Sequence, residues 1–391
     1  MSGGFDFSLL LIELGAVVLG LALLTRLANR FAFSAIPLYL LAGLALGKGG
    51  LIPLTIGDNF VRMGSEIGVL LLLFMLGLEY TGEQLRRELR SGLPAGLVDL
   101  ALNFPPGFLM GLLLGWDPLG CVLLGGITYN TSSSVAAGVL TDLGRVSYPE
   151  TRVVISISVI EDLAMALFVP LVGVLLLRQQ LTTAVGSVLL ALAVVGVALF
   201  VAMRYGRALS RLASRRSEEA ALFAVLGLVL LVAGLAQRLR VSAGIGAFLV
   251  GIAISGPMVK QMRRQIGPLR DLFAAIFFLF FGLQIDPATL LPVLVPAAGL
   301  GVLGAATKML AGWWAARRAS ISPTGCLRAG AVLVARGEFS IVLASLGVAA
   351  GMQPQLGTLA AAFILFSALV GPILAHLVEP VGGLLFGRRR R

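Results

Sequence analysis

The sequence predicts an all-α membrane protein of about thirteen transmembrane helices, arranged as inverted repeats with two interrupted helices. Three observations predict it: scarce charge, recurring apolar stretches of spanning length, and basic residues that alternate between loops. Charged residues make up 13% of the 391, hydrophobic residues 58%, and mean hydropathy is +0.99. A soluble domain carries roughly a quarter charged residues. The net charge of +11 does not call for nucleic acid, because the basic residues sit in short loops where they orient a membrane protein.

Taken in chain order, the apolar periodicity places spans at 8–25, 33–47, 64–79, 93–115, 118–140, 152–176, 183–203, 219–237, 242–257, 268–284, 289–314, 324–349 and 356–377. Residues before Leu9 carry no basic side chain, so the first stretch reads as a span and not as a cleaved signal. No hydrophilic stretch is long enough for a separate cytosolic regulatory domain, and residues 1–391 read as one transmembrane transport domain ending at Arg391. Alternate loops test the count. One set, from Arg26 and Arg30 to Arg388–Arg391, holds 23 Lys and Arg, and the other holds five: Lys48, Arg62, Arg178, Arg238 and Arg240. That asymmetry puts the N-terminus outside and the C-terminus in the cytoplasm of a multi-pass protein of the inner (plasma) membrane.

Spans 3 and 10 both close on Gly-Leu followed by a polar residue, at Glu79 and at Gln284. Spans 5 and 12 are both interrupted by polar residues, Thr128–Ser134 and Ala335–Ser340. An offset of seven spans reverses topology, so spans 1–6 and 8–13 form inverted repeats around span 7. Paired broken helices in inverted repeats mark a transporter, with its site near the midplane.

Ionisable groups within spans are costly and therefore candidates for function. Leaving aside the outermost span positions, they are Glu13, Glu66, Asp99, Glu161, Asp162, Lys308, Arg336 and Glu338. Glu66 is near enough to a span end to reach the interface, and Glu13 is placed to face a dimer contact or a cavity. Asp99 is either structural or lines a vestibule. Glu161 and Asp162 lie mid-span and project about 100° apart on a helix. Neighbouring carboxylates hinder each other's ionisation, so one of them holds either a proton or a hard cation, and that competition couples the two. Lys308 needs a carboxylate partner, for which Glu161 is the candidate. Thr131, Ser132 and Ser133 supply hydroxyls suited to a small cation, while Arg336 and Glu338 offset opposed half-helix dipoles. Cys121 and Cys326 form no disulfide framework or metal set, and His376, the single histidine, has no nucleophile beside it. The chain is not read as an enzyme, and it needs no cofactor and no metal beyond a transported monovalent ion.

These residues carry a resemblance. Ile36–Gly47, Gly68–Glu79, Ser132–Ser134, Glu161-Asp162, Phe277–Leu283 and Arg336–Phe339 resemble the membrane domain of the monovalent cation:proton antiporter-2 family, which includes Kef-type systems. The resemblance covers nearly the whole chain. It implies K+ or Na+ exchange for protons, with K+ favoured, by an elevator movement in which spans 5 and 12 cross as unwound helices. It implies that Asp162 carries the ion or proton and that Glu161 pairs with Lys308. It also implies a homodimer, with 1–79 and 219–284 as dimerisation scaffold, 93–176 and 289–377 as ion-carrying core, and 183–203 as linker helix. Its further partners are membrane lipid and a separate cytosolic regulatory subunit. The acidic pair here is Glu-Asp, where Kef-type systems carry Gln-Asp and electrogenic sodium exchangers Asp-Asp. A gated cation channel is the alternative from another class, but no pore-loop sequence supports it. A sodium-coupled organic-anion symporter gives no reason for pairing Glu161 with Lys308.

Overall fold

The computed structural model describes residues 7–30, 35–47, 67–71, 73–75, 77–78, 82–176, 218–238, 243–254 and 257–386. Helices dominate them: α1 (Phe7–Arg30), α2 (Ile36–Leu46), α3 (Gly82–Leu113), α4 (Pro118–Tyr129), α5 (Ser133–Asp142), α6 (Pro149–Leu176), α7 (Glu218–Arg238), α8 (Ala243–Ala253) and α9 (Pro257–Leu283). After a 3-10 turn at Pro287–Thr289 come α10 (Leu290–Arg318), α11 (Pro323–Val332), α12 (Glu338–Ala349) and α13 (Leu356–Phe386). Residues 67–71, 73–75 and 77–78 are also helical. Each expected span meets a helix except 183–203, which lies outside the described residues.

The outward surface is apolar. Leu113 and Val295 are 82% exposed and Leu384 is 86% exposed, as side chains facing lipid would be. Among the described residues, five helices are long and apolar enough to cross a membrane unaided. Two of the spans expected from the sequence are interrupted and are each built from two short helices. In one pair α4 ends at Tyr129 and α5 begins at Ser133; in the other α11 ends at Val332 and α12 begins at Glu338.

The same local chemistry makes both breaks. Pro118 and Pro323 open α4 and α11 at the first helical turn, where a missing N–H costs nothing. Beyond Tyr129 the backbone runs extended through Asn130 to Ser132, whose hydroxyl caps α5 by accepting from Val135 N at 3.4 Å. Gly337 is the extended residue before α12, and a Cβ there would strike the Ser132 side chain at 2.6 Å. The two extended segments touch, Ser132 N donating to Ala335 O at 2.8 Å. Irregular backbone at this depth is tolerated because it is enclosed by protein.

The heaviest packing falls within two sets of helices, which meet along a shared hydrophobic core. Helix α3 lies against α4, α6 and α10, while α10 also packs on α11 and α13. Elsewhere α2 packs on α9 and α7 on α8. Small residues allow the closest crossings: a Cβ on Gly43 of α2 would meet Gly282 Cα of α9 at 2.8 Å. One boundary differs clearly from the hydropathy reading. Helix α9 starts at Pro257, eleven residues before the expected span at 268. Its first turns bury Met258, Met262 and Ile266 while Lys260, Arg263 and Arg264 stay exposed. An amphipathic extension of that kind lowers average hydropathy without ending the helix. Helix α3 likewise starts at Gly82, before 93, and α13 runs on to Phe386, past 377.

Candidate functional site

The contact between the two breaks brings four half-helix ends together, and their charges are answered separately. The carbonyl ends of α4 and α11 converge on Arg336. Its Nε donates to Thr128 O at 3.0 Å, and its Nη1 to Leu333 O at 3.1 Å and Val334 O at 2.8 Å. The guanidinium is 1% exposed, and its planar fork meets several acceptors at once, as an ammonium would not. The amino ends of α5 and α12 meet at Ser132 and Glu338, where Ser132 Oγ donates to Glu338 Oε2 at 2.9 Å. A cation thus sits at two C-termini and an anion at two N-termini, each favourable to the helix dipole.

The acidic pair lies on α6, and its two members have different surroundings because adjacent residues point about 100° apart. Glu161 is fully buried. Its Oε2 accepts from Thr131 N–H and its Oε1 from Lys308 Nζ at 2.6 Å. Thr131 Oγ1 lies 3.2 Å from Glu161 Oε1 and 3.0 Å from Leu333 O, so its one proton serves either. Asp162 turns towards the start of α5, where Ser133 Oγ donates to its Oδ2 at 2.9 Å. It is 4% exposed.

Lys308 comes from α10 and is fully buried, with the Tyr129 ring 5.5 Å from its ammonium. Besides Glu161 it reaches Asp99 on α3, at 2.8 Å to Oδ1 and 2.7 Å to Oδ2. Asp99 is fully buried where α3 packs against α10. Asn103, one turn further along α3, donates to Asp99 Oδ1 at 3.0 Å and accepts from Thr307 Oγ1 at 2.8 Å. Glu13, Glu66 and Glu79 lie where no side chain is described.

The sequence did not single out Asn103, Thr307 or Ser158. The Ser158 hydroxyl is buried and has no hydrogen-bond partner among the described residues, one helical turn before Asp162. The signal available for it was the i, i+4 spacing to the acidic pair. Asn130 Oδ1, beside Thr131, is likewise buried without a partner. Among the described residues no cluster has the composition of a resident metal site.

Chemically, this is a buried acidic pair beside two touching helix breaks, with Ser133 Oγ on Asp162 and Lys308 on Glu161. Such an arrangement in a membrane bundle with paired broken helices defines a secondary carrier of small cations. The chain belongs to the sodium/hydrogen exchanger transmembrane family, whose model matches residues 16–378. It is similar to the K(+)/H(+) antiporter subunit KhtU of Bacillus subtilis, 34% identical over 387 residues, which cover 96% of this chain and 95% of that one. It is also similar to the ammonium/H(+) antiporter subunit AmhT of Alkalihalophilus pseudofirmus, 29% identical over 385 residues, covering 97% and 96%. The fold matches the solved sodium proton antiporter MjNhaP1 of Methanocaldococcus jannaschii with a TM-score of 0.68, at 17% identity, over 98% of this chain and 99% of that one. The chain is a multi-pass membrane protein of the cation/proton antiporter class.

Proposed function

We propose that the protein exchanges K+ for protons and that Asp162 is the group for which the two ions compete. The observation that carries this reading is the contrast within the acidic pair. Glu161 is engaged by an ammonium and a backbone N–H, whereas Asp162 turns to the start of α5, where the Ser133 hydroxyl donates to it. A buried carboxylate beside unwound backbone suits a site that takes either a proton or a hard cation. Ser133 provides a hydroxyl oxygen on it and Ser158 lies one helical turn before it, which suits a hard monovalent ion.

The choice of K+ over Na+ draws on KhtU, named for potassium, while other relatives are named for ammonium or sodium. The cycle is an elevator: α3–α6 and α10–α13 carry the site as one core, against α1, α2, 67–78 and α7–α9 as scaffold of a homodimer, with 183–203 linking them. The heaviest helix–helix packing falls within these two groups, which fits that division. The N-terminus faces outward and the C-terminus the cytoplasm of the inner membrane. KhtU and AmhT are both named as subunits, which fits a separate regulatory partner on the basic cytoplasmic loops.

Proteoliposomes holding a pH dye, challenged in turn with K+, Na+ and Li+, test this. The expected result is proton movement strongest with K+ and abolished in Asp162→Asn. Undiminished exchange in that variant would refute the assignment of Asp162. A stronger response to Na+ would overturn the choice of ion alone.

A further inference from the structure

The two charges at the crossing of the broken spans are not equivalent. Arg336 is 1% exposed, and its guanidinium is spent on the Thr128, Leu333 and Val334 carbonyls. Glu338 answers the amino ends of α5 and α12, yet it is partly exposed, while Asn130, Thr131, Ser132 and Gly337 around it are buried. Neutralising helix dipoles needs no such access to water.

The extended backbone from Asn130 to Ser132 accounts for what Glu338 faces. Side chains alternate along an extended segment, so Thr131 points one way and Asn130 and Ser132 the other. On the first side, Thr131 Oγ1 lies 3.2 Å from Glu161 Oε1, and Ser133 Oγ donates to Asp162 Oδ2 at 2.9 Å. On the second, Ser132 Oγ donates to Glu338 Oε2 at 2.9 Å. Asn130 belongs to that second side. Its Nδ2 donates to Thr131 O at 2.8 Å, while its Oδ1 is buried with no partner among the described residues. A buried amide oxygen of that kind calls for a donor or a cation. Gly337 holds the two segments in contact, since a Cβ there would lie 2.6 Å from Ser132 Cβ. The second side therefore gathers a carboxylate, a hydroxyl and an amide carbonyl. Oxygen donors of this kind suit a hard cation, and a single carboxylate balances a single positive charge.

We propose that Glu338, Ser132 and Asn130 form a second site for a monovalent cation, across the unwound segment from Asp162. The positive ends of α5 and α12 oppose a cation there, as does Arg336 two residues away, so the ion is held loosely. A stop on the way to a carrier site must be left as readily as it is entered. Glu338 is the more accessible carboxylate, for Asp162 is 4% exposed. The serines that serve the two carboxylates are neighbours in the chain, with Cα atoms about 3.8 Å apart, so an ion has little distance to cross between the sites. That the ion passes on to Asp162 rests on the reading of Asp162 as carrier; the second site itself does not.

Binding of radioactive rubidium, standing in for K+, to the full chain in lipid nanodiscs tests the proposal. The measurement is made at about pH 8, where carboxylates of ordinary proton affinity are ionised. Asp162→Asn removes the carrier site and should leave one weak rubidium site per chain, from which K+ displaces the label. Adding Glu338→Gln, which can still accept from Ser132, should abolish that binding. Adding Asn130→Ala instead should weaken it about tenfold, so misfolding of one double variant, recognised by thermal melting, leaves the other. No rubidium on folded Asp162→Asn, or binding that a folded double variant leaves unchanged, would overturn the proposal. Antiport by Asp162→Asn, assayed alongside, separates the two ideas. Exchange that persists there sinks the carrier reading, and the rubidium count still decides the second site.

Discussion

Replacing Lys308 with Met keeps the length and volume of the side chain and removes only its charge. The ammonium's contacts to Asp99 (2.7 and 2.8 Å) and Glu161 (2.6 Å) disappear together. Two fully buried carboxylates are left facing each other. Removing one partner of a buried ion pair costs about 3–5 kcal/mol. For a chain of this size that corresponds to a fall in melting temperature of roughly 6–10 °C. The deficit should depend on pH with a definite sign. The orphaned carboxylates can stay buried only by taking up protons, so the loss shrinks as pH falls towards about 5 and grows as pH rises. Thermal melting of the purified variant in detergent, followed across pH, gives both numbers. A melting temperature within about 1 °C of the parent at every pH would refute Lys308 as the internal counter-ion.

Three further changes probe other parts of the site and scaffold. Ser133→Ala removes the 2.9 Å hydrogen bond to Asp162 and should raise the KM for the cation about tenfold, near 1.4 kcal/mol, with little change in maximal proton flux. Arg336→Met strands the Thr128, Leu333 and Val334 carbonyls at the joined helix ends, and should cost about 3 kcal/mol or more in a thermal melt. Arg336→Lys should not restore that loss, since an ammonium cannot span the same acceptors. Gly43→Val forces α2 away from Gly282 of α9 and should destabilise by roughly 1–3 kcal/mol, whereas Gly227→Val, with open space around it, should be silent in the same melt.

Much of the architecture is legible because the bilayer restricts what a chain can do. Apolar length marked the helices, and polar residues within Thr128–Ser134 and Ala335–Ser340 marked the two breaks, since irregular backbone needs its own hydrogen-bonding partners there. The pairing of charges was only half legible. Lys308 in a span demands a carboxylate, and the adjacent acids on α6 were visible candidates. Asp99 stands 209 residues from Lys308 in sequence, and only the packing of α3 on α10 brings them together. No periodicity reports such a contact. Ser158 escaped notice for a different reason: serine is common in membrane helices, and it is the absence of a partner in the folded state that distinguishes it. The early start of α9 was hidden because hydropathy averages over both faces of a helix, and Lys260, Arg263 and Arg264 mask the buried methionines beside them.

The central claim is that one carboxylate holds either the proton or the cation. The direct measurement is K+ affinity of the purified protein as a function of pH, by calorimetry in buffers of different ionisation enthalpy. Competition at Asp162 predicts that the apparent Kd rises about tenfold for each pH unit of acidification once the proton wins, and that binding K+ releases protons to the buffer. A K+ affinity that is the same at every pH, with no proton release, would contradict the account.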